Sequence, residues 1–396
     1  MRRFLWCLFF LFMSVLKASG AAINEDQYSK RIKRQLTRVN TWRWPNGEIY
    51  YYFDTPVQQD KRQLFYDAMQ YISSRTCVKF IEDATAINRL KIVNDGSCSS
   101  YIGMNTGEQD LKFPDYCMVF GTCIHELLHA LGMDHIHTRY DRDDYLIVNL
   151  TAIGDNNNFN EHIYDEVYMP VPYEYGSCMH YSKDASASES LMPKQTEFAG
   201  TLGSRKFGTF YDIVNVNWHY NCKCQVELEC QNGGYANPAD CTRCNCPHGY
   251  GGKLCDAPPG STTTLPAIAT WQNHSLTYGT VDNQSKSFLV LYVRITAPTD
   301  KTIEVRITEM NNFACWSGCN ANAVEVKYMG DPRITNPMHC CEESVGLVFR
   351  SKLNPTPVIF YQRFGQSSVT ISYRYVDVPV NGTKGTNGYD CYEYYL

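Results

Sequence analysis

His125-Glu126-Leu127-Leu128-His129-Ala130-Leu131-Gly132-Met133-Asp134-His135 is the stretch on which the reading of this 396-residue chain turns. A helix is expected over Gly121 to Leu131. On it, His125 and His129 lie four residues apart, about 40° around the axis, so both rings can reach one metal ion. His135 cannot join them if the helix runs on. Ten residues from His125 at about 1.5 Å each would carry it about 15 Å along the axis, whereas zinc–nitrogen bonds are about 2.0–2.1 Å. The chain must turn back, and Gly132 stands where a left-handed helix stop does that. Three neutral imidazoles leave a coordination position open to water, the arrangement of a catalytic rather than a structural zinc. Glu126 follows the first ligand and is placed as general base. It would take the proton of water whose pKa zinc lowers to about 7, as that water attacks a peptide carbonyl, and pass it to the leaving amine. Two histidines and a glutamate in five residues also describe a solvated helix face; the third histidine beyond a glycine is what makes the pattern specific.

The rest of the chain sets the context. Hydrophobic residues make up 44% and charged residues 19%, ordinary for a folded globular protein. The net charge of −5 excludes a dedicated nucleic-acid binder, because no basic excess exists to neutralise phosphates. Eighteen cysteines point to an oxidising compartment. Arg2 and Arg3, an apolar run of 13 residues from Phe4 to Leu16, and Ala18-Ser19-Gly20 read as a secretory signal peptide over residues 1–20. The run is shorter than the roughly 20 residues of a spanning helix, and no later segment is long and apolar enough to serve as a membrane anchor. The expected location is secreted, extracellular. Sequons at Asn149, Asn273, Asn283 and Asn381 are candidate glycosylation sites. Lys30-Arg31-Ile32-Lys33-Arg34 is either a solvated basic loop or a processing site cut after Arg34, which would release residues 21–34 as a propeptide too short to fold alone.

Glu48–Phe53, Val78–Ile81 and Leu90–Val93 read as strands, and Asp60–Ser73 has helical apolar spacing. Residues 151–176 are turn-rich and carry no assignment. Seven cysteines between Cys222 and Cys255 leave little room for an apolar core, so a cross-linked miniature module is expected there. Residues 257–266 read as a linker. From about residue 267 to 379 strand follows strand with period-two alternation, which indicates an antiparallel sandwich or barrel. Residues 380–396 form a tail.

The His125–His135 segment resembles the metzincin signature. His137-Thr138-Arg139-Tyr140-Asp141-Arg142-Asp143 and Tyr175-Gly176-Ser177-Cys178-Met179-His180-Tyr181 narrow the resemblance to the astacin family of zinc endopeptidases. It implies an α+β metzincin domain over residues 35–222, with a mixed sheet and a zinc-binding helix holding one catalytic Zn²⁺. Met179 would be the Met-turn floor beneath the metal, and Tyr181 an additional zinc ligand that swings off to hydrogen-bond the oxyanion. Arg205–Tyr220 loosely resembles the family's C-terminal helix. Cys230-Gln231-Asn232-Gly233-Gly234 with the spacing of Cys244, Cys246 and Cys255 is similar to an EGF-like module over 223–256, and the strand-rich part to a CUB domain. Extracellular protein or peptide substrates follow, with further protein partners possible through those two modules. The implied disulfides are Cys77–Cys222, Cys98–Cys117, Cys224–Cys241, Cys230–Cys244 and Cys246–Cys255.

The sequence departs from the family at Ile136, where members usually carry a glutamate that receives the new N-terminal ammonium. A neutral, cyclised Gln35 terminus would match Ile136. The usual Phe-x-Gly-Asp of the propeptide is missing, and Asp26 is its only substitute here. Cys123 lies about 200° around the helix from His125 and is no metal ligand; a Cys123–Cys178 disulfide tying the zinc helix to the Met-turn is expected. Cys315, Cys319, Cys340, Cys341 and Cys391 form an odd set.

Overall fold

The alternation of Glu48–Phe53 sets the first layer. Ile49, Tyr51 and Phe53 are buried and their neighbours are not, so this strand, β1, turns one face to the core. The computed structural model describes residues 42–154, 156–162, 171–186 and 188–378. The readings for residues 1–41 (signal peptide, processing after Arg34, Asp26 and Gln35) and for the tail with Asn381 and Cys391 fall outside them.

Strands β2 (Lys79–Glu82), β3 (Arg89–Val93) and β4 (Glu108–Lys112) join β1 in the order β2-β1-β3-β4, every pair parallel. The mixed character expected of this sheet is confined to one antiparallel bridge, Ser99 to Lys112. Helix α1 (Gln59–Ser73) buries Leu64, Phe65, Ala68, Met69 and Ile72 along one stripe. It also buries Lys61, whose ammonium donates to Asn94 Oδ1, Phe113 O and Asp115 Oδ1, so all three donors are satisfied. Helix α2 (Phe120–Ala130) is buried along nearly its whole length and on all sides, as a helix enclosed by its core must be.

Beyond α2 the chain forms a small antiparallel two-stranded sheet of β5 (Leu146–Val148) and β6 (Leu191–Pro193), with a one-turn helix α3 (Leu150–Ile153) capped by the Asn149 side chain. Helix α4 (Phe210–His219) starts from a capping box. Thr209 Oγ1 accepts the Asp212 N–H, and Asp212 accepts the Thr209 N–H. Asp212 further accepts the Ser177 hydroxyl and the Cys178 N–H, so one carboxylate fastens the start of α4 to the Met179 turn.

Cys77 bonds Cys222 and Cys98 bonds Cys117; the small module is held by Cys224–Cys241, Cys230–Cys244 and Cys246–Cys255 around a two-stranded β7 (Tyr235–Ala236) and β8 (Cys244–Asn245). These are the five pairs that the resemblance implies. Cys123 and Cys178 correct the sixth: they are two buried free thiols. The charges acting on each differ. Cys123 feels Glu126 and Asp67, and Cys178 feels Asp212 and Arg205, as expected of thiols that face different neighbours. Burial pushes both thiols up, which leaves them inert. Further on, Cys315 bonds Cys341 and Cys319 bonds Cys340.

The remaining strands are β9 (Thr262–Pro266), β10 (Gln272–Thr296), β11 (Lys301–Asn311), β12 (Asn322–Val326), β13 (Met338–His339), β14 (Val348–Arg350) and β15 (Thr356–Asp377). The path runs β13-β12-β15-β10-β9, with β11 pairing β14 and β15. All pairs are antiparallel except β9 with β10. Half of the expected linker is thus strand: Thr262 to Pro266 are β-branched or apolar enough to extend along Tyr292–Thr296. The inner faces bury Ile303, Val305 and Ile307 against Val358, Phe360 and Ile371.

The seam between this β-domain and the first domain is polar and buried. Glu174 is 2% exposed and accepts N–H groups from Gly176 and, across the seam, Thr335. Burial first, then the Asp212 charge, push its carboxyl from 4.5 up to about 8 against the pull of Lys327. Between those values the folded chain holds a proton that the unfolded chain has released. This contribution to stability is therefore complete below about pH 4.5 and is lost as pH rises through about 8. Glu174→Gln, which keeps the accepting oxygen and cannot ionise, is expected to flatten the fall of Tm across that window. Thermal melts at a series of pH values check this; the same slope in both proteins would contradict it.

Candidate metal centre

Helix α2 ends as Gly132 requires. Gly132 sits at φ +100°, its N–H bonds His129 O, and the Met133 N–H bonds Leu128 O. These two bonds are a Schellman stop. A Cβ at Gly132 would come within 2.9 Å of His219 Nε2, so a side chain there is excluded by both backbone and space. The same turn brings the Met133 carbonyl to 2.7 Å from His129 Nδ1 and sends the chain back toward the helix.

His135 therefore joins its partners. Its Nε2 lies 3.1 Å from His129 Nε2 and 3.4 Å from His125 Nε2, and the latter two are 3.1 Å apart. His125 Nδ1 is 2.7 Å from Cys178 O. A carbonyl oxygen only accepts, so His125 and His129 carry their protons on Nδ1 and turn bare Nε2 lone pairs toward each other. Burial holds all three rings below the usual imidazole value, and so neutral. Neutral nitrogens with facing lone pairs repel unless a cation lies between them. Tetrahedral zinc with bonds of about 2.0–2.1 Å sets its nitrogens about 3.3–3.4 Å apart. The cluster fits zinc, and the Nδ1 contacts are the outer partners that fix ring orientation at such sites.

Glu126 is 3% exposed and its Oε2 has no hydrogen-bond partner among the described residues. Burial pushes its carboxyl up to about 8, with the Arg205 charge pulling the other way; a divalent cation beside it would lower it further. Met179 is buried, and its carbonyl accepts the Ile136 N–H at 3.1 Å, which ties the third-histidine segment to this turn. Ile136 is itself in the apolar core. Tyr181 is half-buried, its ring centre 4.3 Å from that of His135. Two neighbours were not singled out from sequence. His137 stacks on Tyr181 at 4.2 Å and 26°; it lies within the segment that carried the resemblance, two residues past His135. Arg205 is the strongest charge acting on both Glu126 and Tyr181, and nothing in its local sequence marks it.

The family model for Astacin, a peptidase family, matches residues 36–221. The chain is 46% identical over 376 residues to zinc metalloproteinase nas-17 of Caenorhabditis elegans, covering 93% of this chain and 87% of that one. It is 44% identical over 392 residues to zinc metalloproteinase nas-16 of the same organism, covering 92% and 85%. Among solved structures, the medaka (Oryzias latipes) hatching enzyme high choriolytic enzyme 1 aligns at 31% identity with a TM-score of 0.42, covering 46% of this chain and 94% of that one. The chain belongs to the astacin family, and it is a zinc metalloendopeptidase.

Proposed function

We propose that the chain is secreted and cuts extracellular proteins, with His125, His129 and His135 holding one zinc, Glu126 as general base and acid, and Tyr181 as oxyanion donor. The observation that carries this reading is the meeting of three imidazole nitrogens within 3.4 Å, with Glu126, one residue past His125, holding a buried carboxylate oxygen that has no hydrogen-bond partner among the described residues. Zinc, when bound, polarises the scissile carbonyl and acidifies water. Glu126 takes a proton from the attacking water and delivers it to the leaving nitrogen. Its burial excludes competing solvent and keeps the unpaired oxygen free for that task. Tyr181, packed against both the His135 and His137 rings, presents its hydroxyl to the developing oxyanion. The backbone of Cys178 and Met133 keeps the two helix histidines in the tautomer that ligation needs.

Secretion is supported by the Phe4–Leu16 run and the small residues after it, and by seven disulfides among the described residues. Among those residues no helix is long and apolar enough to cross a membrane. Asn149 and Asn273 are exposed, as glycan acceptors must be. The EGF-like and CUB-like readings of the small module and the β-domain, and any partners they bind, belong to the same proposal. A chelator strong enough to strip zinc is expected to abolish peptide cleavage, and stoichiometric zinc to restore it. Full cleavage by protein shown to be free of metal would overturn the reading.

A further inference from the structure

Given the peptidase site proposed above, we infer that Asn320, in the C-terminal β-domain, is a positioning residue for that site, acting through Arg205. The Gly203–Lys206 loop is wedged between two bodies. On the site side, Arg205 Nη1 donates to His180 O at 3.0 Å, inside the turn that carries Met179 and Tyr181. The Arg205 backbone lies on the first turn of α2, where a Cβ at Gly121 would meet Arg205 O at 2.0 Å. A Cβ at Gly203 would meet Ser182 Cα, next to Tyr181, at 2.6 Å. The loop thus touches both the metal-binding helix and the tyrosine segment with no slack.

On the far side, the β-domain grips the same loop through its Ser317–Asn320 turn. Asn320 Oδ1 accepts the Arg205 N–H at 2.7 Å, while its Nδ2 donates to Gly203 O at 2.9 Å and to Ser317 O at 3.0 Å. One amide therefore sets the spacing of Gly203 and Arg205. Lys206, 2% exposed, donates to Gly318 O and Cys319 O, each at 3.0 Å. Gly318 approaches so closely that a Cβ there would lie 2.4 Å from Gly203 O. The turn is itself fixed by the Cys319–Cys340 disulfide and by Arg363, which donates to Asn320 O at 3.0 Å. A part-buried contact held at several points in this way transmits a shift instead of absorbing it. The β-domain is in this sense a wall of the catalytic unit.

The test uses the full-length, zinc-loaded chain and a peptide substrate. Asn320→Ala is expected to lower kcat about tenfold with KM, zinc content and melting cooperativity unchanged, because sub-ångström misplacement is felt in the turnover step. Asn320→Asp keeps the acceptor for the Arg205 N–H but replaces the donor to Gly203 O and Ser317 O with a second acceptor, so it is expected to lower kcat as well, by less than Asn320→Ala. In an Arg205→Gln background, which lacks the bond to His180 O, Asn320→Ala should cost clearly less than in wild type. If the alanine chain gives no cooperative melt, Asn320→Ser, too short to span Gly203 and Arg205, takes its place with the same outcomes. Unchanged kcat in the single variant, or an equal loss in both backgrounds, overturns the inference. A zinc-loaded wild type without peptidase activity overturns the site reading instead.

Discussion

Glu126→Gln is expected to cost about 10²–10⁴-fold or more in kcat, with the fold and the zinc content unchanged. The argument is one of shape against charge. Glutamine fills the same space at a position that is 3% exposed. Oε2 makes no hydrogen bond among the described residues, so the swap breaks no protein contact on that side. What disappears is the charge of a buried carboxylate whose Oε2 is free to accept a proton. Steady-state kinetics on a fluorogenic peptide, run beside thermal melts, check both halves. A variant that melts like wild type and turns over like it would remove Glu126 from the chemistry.

The second large effect is on stability. Cys77–Cys222 closes a sequence separation of 145 residues, joining the start of β2 to the chain just past α4. Cys98–Cys117 closes a separation of only 19. The chain-entropy relation gives about 5 kcal/mol for the first and about 3 kcal/mol for the second. Replacing both cysteines of each pair by serine should therefore rank the two, with Cys77→Ser/Cys222→Ser the more costly by about 2 kcal/mol in denaturant unfolding. The reverse order would mean that local strain or residual unfolded structure, not loop length, dominates.

Much of this molecule was legible because its periods are clean. Glu48–Phe53 reads with the bounds that the structure shows, and α1 and α2 come within a residue at each end. The return of His135 was legible for a different reason: distance forbade a continuing helix, and Gly132 supplied the stop. β4 was not, since Glu108-Gln109-Asp110-Leu111-Lys112 has one apolar residue and turns Gln109 inward beside it. Period-two alternation past residue 267 shows strands but not how long each runs: β15 continues from Thr356 to Asp377 because β10 pairs along most of it, with register shifts, while β12 and β11 each take one end. The Cys123–Cys178 pairing failed because nearness of two elements says nothing about where their thiols face. Arg205 and Asn320 are 115 residues apart, and no local pattern announces such a contact.

The proposed chemistry depends on zinc held by His125, His129 and His135. Elemental analysis of purified, folded wild type and of Glu126→Gln, each after dialysis against metal-free buffer, tests that most directly. Near-stoichiometric zinc in both, and its loss in a folded His129→Ala chain, is the result predicted. Wild type that is folded, zinc-free and unable to take the ion up would contradict it.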